Sequence, residues 1–402
     1  MKIIGSQDVI SIGSIFDEIV DRKNTCSLKW DHCMERFGAE DILPMWVADM
    51  DFKSPPQIIE AIVQRAEHGV FGYTEASDGL SEALMTWLKS RHGWDTDKRW
   101  ILHSPGVVTS VNIAILAFTR PGDGVLMQTP IYYPFYSSIR DNGRRLVSNP
   151  LINRNGFYEM DFDDLEEKFK SGVKLMVLCS PHNPIGRVWR KADLEEVARL
   201  SLKYGVFVVS DEIHSDLVLG DFSHIPFGTV SEKALQNSIS LYSPTKTFNI
   251  ASLSQSSVII PDRKLRKKFR ETLNRNGAGM LNIFGMIAGE TAYSHCEDWL
   301  MELLVYLRGN LGIIKDYFQM YIPQIKVIEP EATYLAWLDC NRLPVEAEKL
   351  KDFFVFKARV GLNEGSMFGK EGRGFQRMNF ACPKARLMDG LERIRAAVES
   401  IN

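Results

Sequence analysis

The chain has 402 residues, 45% of them hydrophobic and 25% charged, with a formal net charge of -3. That length suffices for two domains with a sizeable core, and the near-neutral charge supplies no basic field for nucleic acid. The opening MKIIGSQDVISIG lacks the apolar core of a signal peptide, and the longest apolar stretches, such as VNIAILAF (111–118), are too short to span a bilayer.

In chain order, DGLSEALMTWLKSRHG (78–93) places Leu80, Leu84, Trp87 and Leu88 at helical spacing, with Asp78 as the expected cap. KLMVLC (174–179) reads as a continuous buried strand followed by a loop. ADLEEVARLSLK (192–203) puts Leu194, Val197, Ala198 and Leu202 on one helical face, and YGVFVVSDE (204–212) reads as the next buried strand. Strand, helix, strand in this order predicts parallel strands with crossover helices, hence an α/β domain. ISLY (239–242) is a further apolar run. From about 290 onward helices dominate, with strand-like pieces at TYLAWLD (333–339) and QRMNFA (376–381), and a final helix carries Leu387, Leu391, Ile394 and Val398 on one stripe. That pattern predicts a second, smaller α+β domain. The expected division is an N-terminal segment, 1–49, contributing to the small domain, a large domain over 50–289 and the small domain over 290–402. The six cysteines, at 26, 33, 179, 296, 340 and 382, have neither metal-ligand nor redox spacing and read as reduced thiols of a cytoplasmic protein.

Four polar clusters follow predicted strands: SPGVVTS (104–110), SPHNPIGR (180–187), SDEIHSD (210–216) and SPTKTFN (243–249). Singly, each has a plain explanation as a turn, a cap or a surface lysine. Together they fall where a doubly wound sheet places its site, at the carboxyl ends of its strands. A pyridoxal phosphate would need three things there. Its aldehyde needs a lysine amine. Its ring nitrogen needs a carboxylate that keeps it protonated. Its phosphate needs backbone N–H groups at a turn or helix start. Lys246, Asp211 and the Gly106–Thr109 stretch are candidates for these roles.

This set resembles the fold-type I pyridoxal-phosphate enzymes of the aminotransferase class I and II superfamily. Within them it is similar to the carbon–sulfur β-lyase branch of MalY/PatB-type cystathionine β-lyases and cystalysin. The likeness rests on LPMWVADMDF (43–52), FGYTEASDGL (71–80), TPIYYPF (129–135), CSPHNPIGRVW (179–189), SDEIHSDL (210–217), SPTKTFNIA (243–251) and FQRMNFACP (375–383).

The resemblance implies a large domain built on a mostly parallel seven-stranded sheet. It implies that Lys246 holds the cofactor as an internal aldimine and later removes the substrate's Cα proton, that Asp211 pairs with the ring nitrogen, and that Asn183 bonds the ring oxygen. Tyr132 would stack on the ring and Tyr133 line the substrate side. Val108 and Thr109 would offer N–H groups to the phosphate and Ser243 a hydroxyl. Tyr73 would reach the phosphate from a second subunit, which implies a homodimer, and Arg377 would clamp the substrate carboxylate through two parallel hydrogen bonds.

Three positions depart from the aminotransferase pattern. Ser254 stands where many relatives carry a phosphate-binding arginine, Ser252 replaces a common glycine, and His214 takes the place of a tyrosine near the ring oxygen, as in the lyase branch. The branch motifs favour β-elimination from cystathionine, cysteine or cysteine S-conjugates, giving pyruvate, ammonia and a thiol. Amino-acid transamination is the second reading, since both reactions begin at the same Cα–H bond and fold alone does not choose between them. A non-catalytic pyridoxal-phosphate regulator is a third, without a visible DNA-binding module to support it. A metal site at Asp211, Glu212, His214 and Asp216 is not expected, because no second histidine stands at helical ligand spacing. A dinucleotide site is excluded by the spacing of GKEGRG (369–374).

Overall fold

Seven short segments, spaced by helical stretches, assemble into one twisted sheet. The computed structural model describes residues 14–401. Across the sheet the strands run Ile101–Ser104, Ser256–Ile259, Ser238–Tyr242, Phe207–Asp211, Val173–Cys179, Gly124–Thr129 and Arg145–Pro150. All adjacent pairs are parallel except those made by Ser256–Ile259, which is antiparallel to both neighbours. The expected mostly parallel, seven-stranded α/β architecture is the one observed.

The central strands read as unbroken apolar runs because helices cover both faces. Alternation then sends successive side chains to opposite cores. Leu175 and Val177 join Val111, Ile115 and Phe269 on one face, while Met176 and Leu178 join Leu165, Leu194 and Val197 on the other. The helix predicted over 192–203 spans Lys191–Tyr204. The helix predicted over 78–93 spans Asp78–His92, but its cap is Ser77, whose side chain accepts from the Leu80 N–H; Asp78 is the first helical residue, where its charge suits the helix dipole.

A second sheet forms from Lys326–Ile328, Leu335–Asp339, Phe375–Asn379 and Asn363–Glu364, antiparallel throughout. The strand expected from 333 starts only at Leu335, because Thr333 adopts a left-handed φ of 75°. A 25-residue helix, Glu297–Tyr321, buries Leu300, Leu303, Leu307, Leu311, Ile314 and Phe318 along one stripe, and the last helix, Lys384–Glu399, packs beside it. Near the N-terminus, Leu43–Pro44 pairs in parallel with Val360–Gly361. Among the described residues no helix is long and apolar enough to cross a membrane.

Two features place the site. The four polar clusters all emerge at the carboxyl ends of parallel strands of the large sheet. The loop 180–188 is also locked to the approach of the second sheet: Glu331 and Ala332 N–H both donate to the Gly186 carbonyl at 2.9 Å. At Gly186, φ is +70° and a Cβ would fall 2.7 Å from the Pro330 Cα, so only glycine allows this contact.

Candidate active site

Lys246 sits on a four-residue helix, Pro244–Thr247, that starts two residues after the Ser238–Tyr242 strand. Proline at its first position suits a helix start, and Ser243 caps it, accepting from Thr245 N–H at 3.2 Å. The Lys246 Nζ donates to the Ala48 carbonyl at 2.6 Å. Tyr334 Oη donates to the same oxygen at 2.9 Å. No carboxylate pairs with the amine at salt-bridge distance among the described residues. Burial, with a smaller contribution from Arg377, pulls its pKa down to about 8 despite the opposing fields of Asp49 and Asp211.

Ala48 belongs to the segment 45–52, which the rest of the molecule holds firmly. Asn249, itself at a φ of 57°, accepts from Met50 N–H at 2.9 Å and donates to the Met50 and Phe52 carbonyls at 3.0 and 2.8 Å. Asn379 Nδ2 donates to the Val47 and Asp49 carbonyls at 2.5 Å each. Asp51, buried, is bound by Lys29 at 3.0 Å, Arg22 at 2.7 Å and Trp30 Nε1 at 3.0 Å. Its carboxyl sits below the usual range because Lys29, the Trp30 N–H and Arg386 together outweigh its desolvation.

Asp211 ends its strand inside the same cavity. Its carboxylate accepts from Ile213 N–H at 3.1 Å, and burial lifts its pKa to about 7, with the neighbouring Glu212 adding a smaller push. Three residues on, His214 is buried with its Nδ1 unpartnered. Burial, then the positive charges of Lys246 and Arg377, lower its pKa to about 3, so it is a neutral imidazole. A desolvated acid without a cation and an imidazole without a partner are unusual in a finished interior.

The Gly106–Thr109 stretch, expected as a turn, is the first turn of the helix Val107–Phe118, with Gly106 in the cap position. Its leading N–H groups have no partners within the helix and carry the positive end of the dipole. A cavity of about 210 Å³ is lined by Val108 and Thr109 from this turn, and by Tyr132, Asn183, Asp211, His214 and Lys246. Thus seven of the residues picked from the sequence meet around one void. Burial raises the Tyr132 hydroxyl to about 12.

Arg377 lies on Phe375–Asn379 and is buried. Its guanidinium donates to Asn183 Oδ1 at 3.0 Å, Asn363 Oδ1 at 2.6 Å and the Trp46 carbonyl at 3.0 Å, while Nε is unpartnered. It also lies 4.8 Å over the Phe368 ring. Every acceptor is neutral. Burial lowers its pKa to about 10, which still leaves it charged.

Four chosen residues stand apart from the cavity wall. Ser243 spends its hydroxyl on the Gln255 carbonyl at 2.7 Å and on Thr245 Oγ1 at 2.6 Å; it is Thr245 that lines the cavity. Tyr133 packs between Tyr132 and Phe368, with ring centroids at 5.5 and 5.8 Å. Arg377 approaches through Asn183. Tyr73 is 94% exposed on an irregular segment with the exposed Val70 and Phe71. Ser254 adopts a φ of 54° at the end of the turn Ala251–Leu253, and Ser252 lies within that turn at an ordinary φ.

The reading of the sequence missed Ala48, Tyr334, Asn363, Trp46 and Thr245. The WVADMDF stretch signalled the first and fourth only as a motif, since what they contribute is a main-chain oxygen. The residues fit a pyridoxal phosphate: an amine free of acid partners, a carboxyl awaiting a cation, an unpartnered imidazole, and helix-start N–H groups share one cavity.

Comparisons with known proteins agree. The family model described as "Aminotransferase class I and II" matches residues 40–394. The chain is 45% identical to "Cystathionine beta-lyase PatB" of Bacillus subtilis, over 95% of this chain and 99% of that one. It is 35% identical to "Protein MalY" of Escherichia coli, over 96% and 99%. The solved structure of cystalysin from Treponema denticola, described as containing a pyridoxal 5'-phosphate cofactor, superposes with a TM-score of 0.94 at 35% identity, covering 96% of this chain and 99% of that one. With motifs, fold and site geometry in accord, the chain belongs to the aminotransferase class I and II family.

Proposed function

We propose that the protein is a pyridoxal-phosphate-dependent carbon–sulfur β-lyase, releasing pyruvate, ammonia and a thiol from cystathionine, cysteine or cysteine S-conjugates. The observation that carries the reading is the pair of buried cations, Lys246 and Arg377, hydrogen-bonded only to neutral oxygens beside the desolvated Asp211. Burying a charge without a counter-charge is costly unless a ligand supplies it. The likeness to cystathionine β-lyase PatB and to cystalysin supports the choice of reaction.

Pyridoxal phosphate, when bound, supplies an aldehyde that takes the amino nitrogen and a ring that withdraws electrons from the bonds at Cα. The chain does the rest. The Val108 and Thr109 N–H groups would hold the phosphate, with Thr245 lining the cavity beside them. The Asp211 carboxylate would hold a proton on the ring nitrogen, and that cation would be the partner it lacks. Asn183 and the neutral His214 face the cavity as hydrogen-bonding groups, and Tyr132 offers a ring face.

Arg377 takes the substrate carboxylate, and its links to Asn363 and Trp46 fix the plane in which that carboxylate docks. Lys246, whose pKa burial lowers to about 8, takes the Cα proton as its neutral amine. The electron pair left at Cα forms the Cα–Cβ double bond as the Cβ–S bond breaks. The sulfur leaves with that bond's electrons, and the protonated Lys246 is the acid placed to supply its proton. In the released enamine a proton moves from nitrogen to Cβ, giving an imine with a methyl group, and water then replaces its nitrogen, yielding pyruvate and ammonia.

The reading extends to a homodimer in which Tyr73 of one subunit reaches the phosphate of the other. Its support is the exposure of Val70, Phe71 and Tyr73 together, and of Val108 at 37% on the cavity wall. It extends also to a cytoplasmic location, supported by four buried cysteines that stand as free thiols.

Incubation with L-cystathionine or L-cysteine, without any keto acid, tests the reaction. Pyruvate, ammonia and thiol are expected in equal amounts. Amino-group exchange that strictly requires a keto acid, with no pyruvate, would transfer the protein to the transaminases.

A further inference from the structure

Beside the residue next to Lys246, and outside the cavity lining, lies a buried acid that the reaction above does not use. Asp216 is 5% exposed and follows His214 by two residues. Its Oδ2 accepts from Thr247 Oγ1 at 3.1 Å. Its Oδ1 accepts from Trp87 Nε1 at 3.0 Å and lies 3.1 Å from His92 Nε2, both on the helix Asp78–His92. Arg91 Nε stands 3.6 Å away, and the His92 ring meets His224 edge-on at 5.2 Å. His224 in turn lies 2.8 Å from Glu212.

One carboxylate therefore ties together three pieces of chain. The first is the helix turn bearing Lys246, through the adjacent Thr247. The second is the turn bearing His214, which Asp216 itself belongs to; there Leu217 N–H donates to the His214 carbonyl at 3.0 Å. The third is the helix that follows the exposed Tyr73 segment. The Lys246 helix is only four residues long, too short to be stable on its own hydrogen bonds. Its orientation depends on outside anchors. Thr247 is wholly buried, and its hydroxyl donates to Asp216. A buried carboxylate is an expensive way to fill space, whereas a charged acceptor makes a stronger and more directional bond than a neutral one.

We propose that Asp216, acting through the Thr247 hydroxyl, is a positioning residue that sets the direction from which the Lys246 amine meets the substrate Cα–H. This rests on the lyase reading. A proton transfer is sensitive to such placement: a misdirection of about 1 Å costs on the order of a hundredfold.

The holoenzyme carrying Thr247→Val, Thr247→Ser or Asp216→Asn tests it. Valine keeps the shape of threonine and removes the hydroxyl; serine restores the hydroxyl. The first readout needs no substrate: the pH titration of the visible band of the lysine-linked cofactor. Thr247→Val is expected to move its midpoint by about half a unit or more, and Thr247→Ser to return it. With α-deuterated L-cystathionine, Thr247→Val is expected to lose about tenfold or more in kcat with KM little changed and a larger isotope effect; Asp216→Asn is expected to do the same. An unshifted midpoint with wild-type kcat in Thr247→Val overturns the proposal. So does Thr247→Ser proving as impaired as Thr247→Val, since packing rather than the hydroxyl would then matter. If Thr247→Val fails to fold, Asp216→Asn with a wild-type midpoint and isotope effect overturns it equally. A wild type that releases no pyruvate removes the lyase reading alone, because the titration still reports on the lysine.

Discussion

Arg377 Nη1 donates to Asn183 Oδ1 across 3.0 Å, joining a strand of the antiparallel sheet to the loop that follows a strand of the parallel one. The two residues are 194 apart in sequence. Through this bond the group proposed to hold the substrate carboxylate shares a partner with the group proposed to hold the cofactor ring.

That link makes Arg377 the sharpest test of substrate binding. Arg377→Lys keeps the charge but loses the planar fork that matches a carboxylate. Its KM is expected to rise on the order of a hundredfold, from a loss of about 2–3 kcal/mol for charge-assisted hydrogen bonds. Cofactor absorbance should be unchanged. Steady-state kinetics and a cofactor titration measure the two separately.

Lys246→Ala is expected to abolish the visible band of the lysine-linked cofactor and to lower pyruvate release by at least about a thousandfold. Spectra of the wild type and variant after the same incubation with pyridoxal phosphate decide the matter. Identical bands in both proteins would show the linkage to be elsewhere.

Asp211 predicts a pH-dependent stability of opposite sign to the usual carboxylate. Burial raises its pKa to about 7, so the cofactor-free fold binds more protons than the unfolded chain between about pH 4 and 7. Its contribution therefore falls as pH rises through that window. At pH 8 the cofactor-free Asp211→Asn variant should be more stable than the wild type by up to about 4 kcal/mol, while at pH 4 the two should be alike. With cofactor bound the order at pH 8 should reverse, since asparagine cannot pair with the ring cation. Thermal denaturation of both forms at the two pH values checks it.

Asn249 fixes the segment that carries the Ala48 carbonyl. Asn249→Ala removes three hydrogen bonds to that segment and places alanine at a left-handed φ of 57°. A destabilisation of about 2–4 kcal/mol is expected, with a fall in kcat exceeding any change in KM. Urea denaturation and kinetics on the same preparation test both parts.

Tyr73 permits a complementation test. Tyr73→Phe and Lys246→Ala should each be impaired alone. Mixed after reversible dissociation, they should regain about a quarter to a half of wild-type cofactor-dependent activity only if Tyr73 serves the site of the other subunit. Absence of recovery in a verified heterodimer would place Tyr73 outside the site.

Much of the fold was legible because its signals are local. Val173–Cys179 and Lys191–Tyr204 announce themselves by apolar runs and helical spacing, and both lie within a few residues of their expected bounds. Boundaries failed where one side chain or one φ decided them, at the Ser77 cap and at Thr333. In the site, side chains with distinctive chemistry, such as Lys246, Asp211 and Arg377, could be singled out by type and by position after a strand. Ser243 was chosen for its hydroxyl, yet that hydroxyl serves a cap and the Gln255 carbonyl, and Thr245 faces the cavity instead.

The amino-acid order by itself determined the kinds of group available and the elements that carry them, because periodicity and motif spacing act over a few residues. The tertiary structure alone decided which oxygens those groups meet. Lys246 reaches the carbonyl of Ala48, 198 residues away, and a main-chain oxygen has no identity in a sequence. Asp216 and Asn363 gain their meaning in the same way, Asp216 from the helices that carry Thr247 and Trp87, and Asn363 from its place opposite Arg377 in the antiparallel sheet.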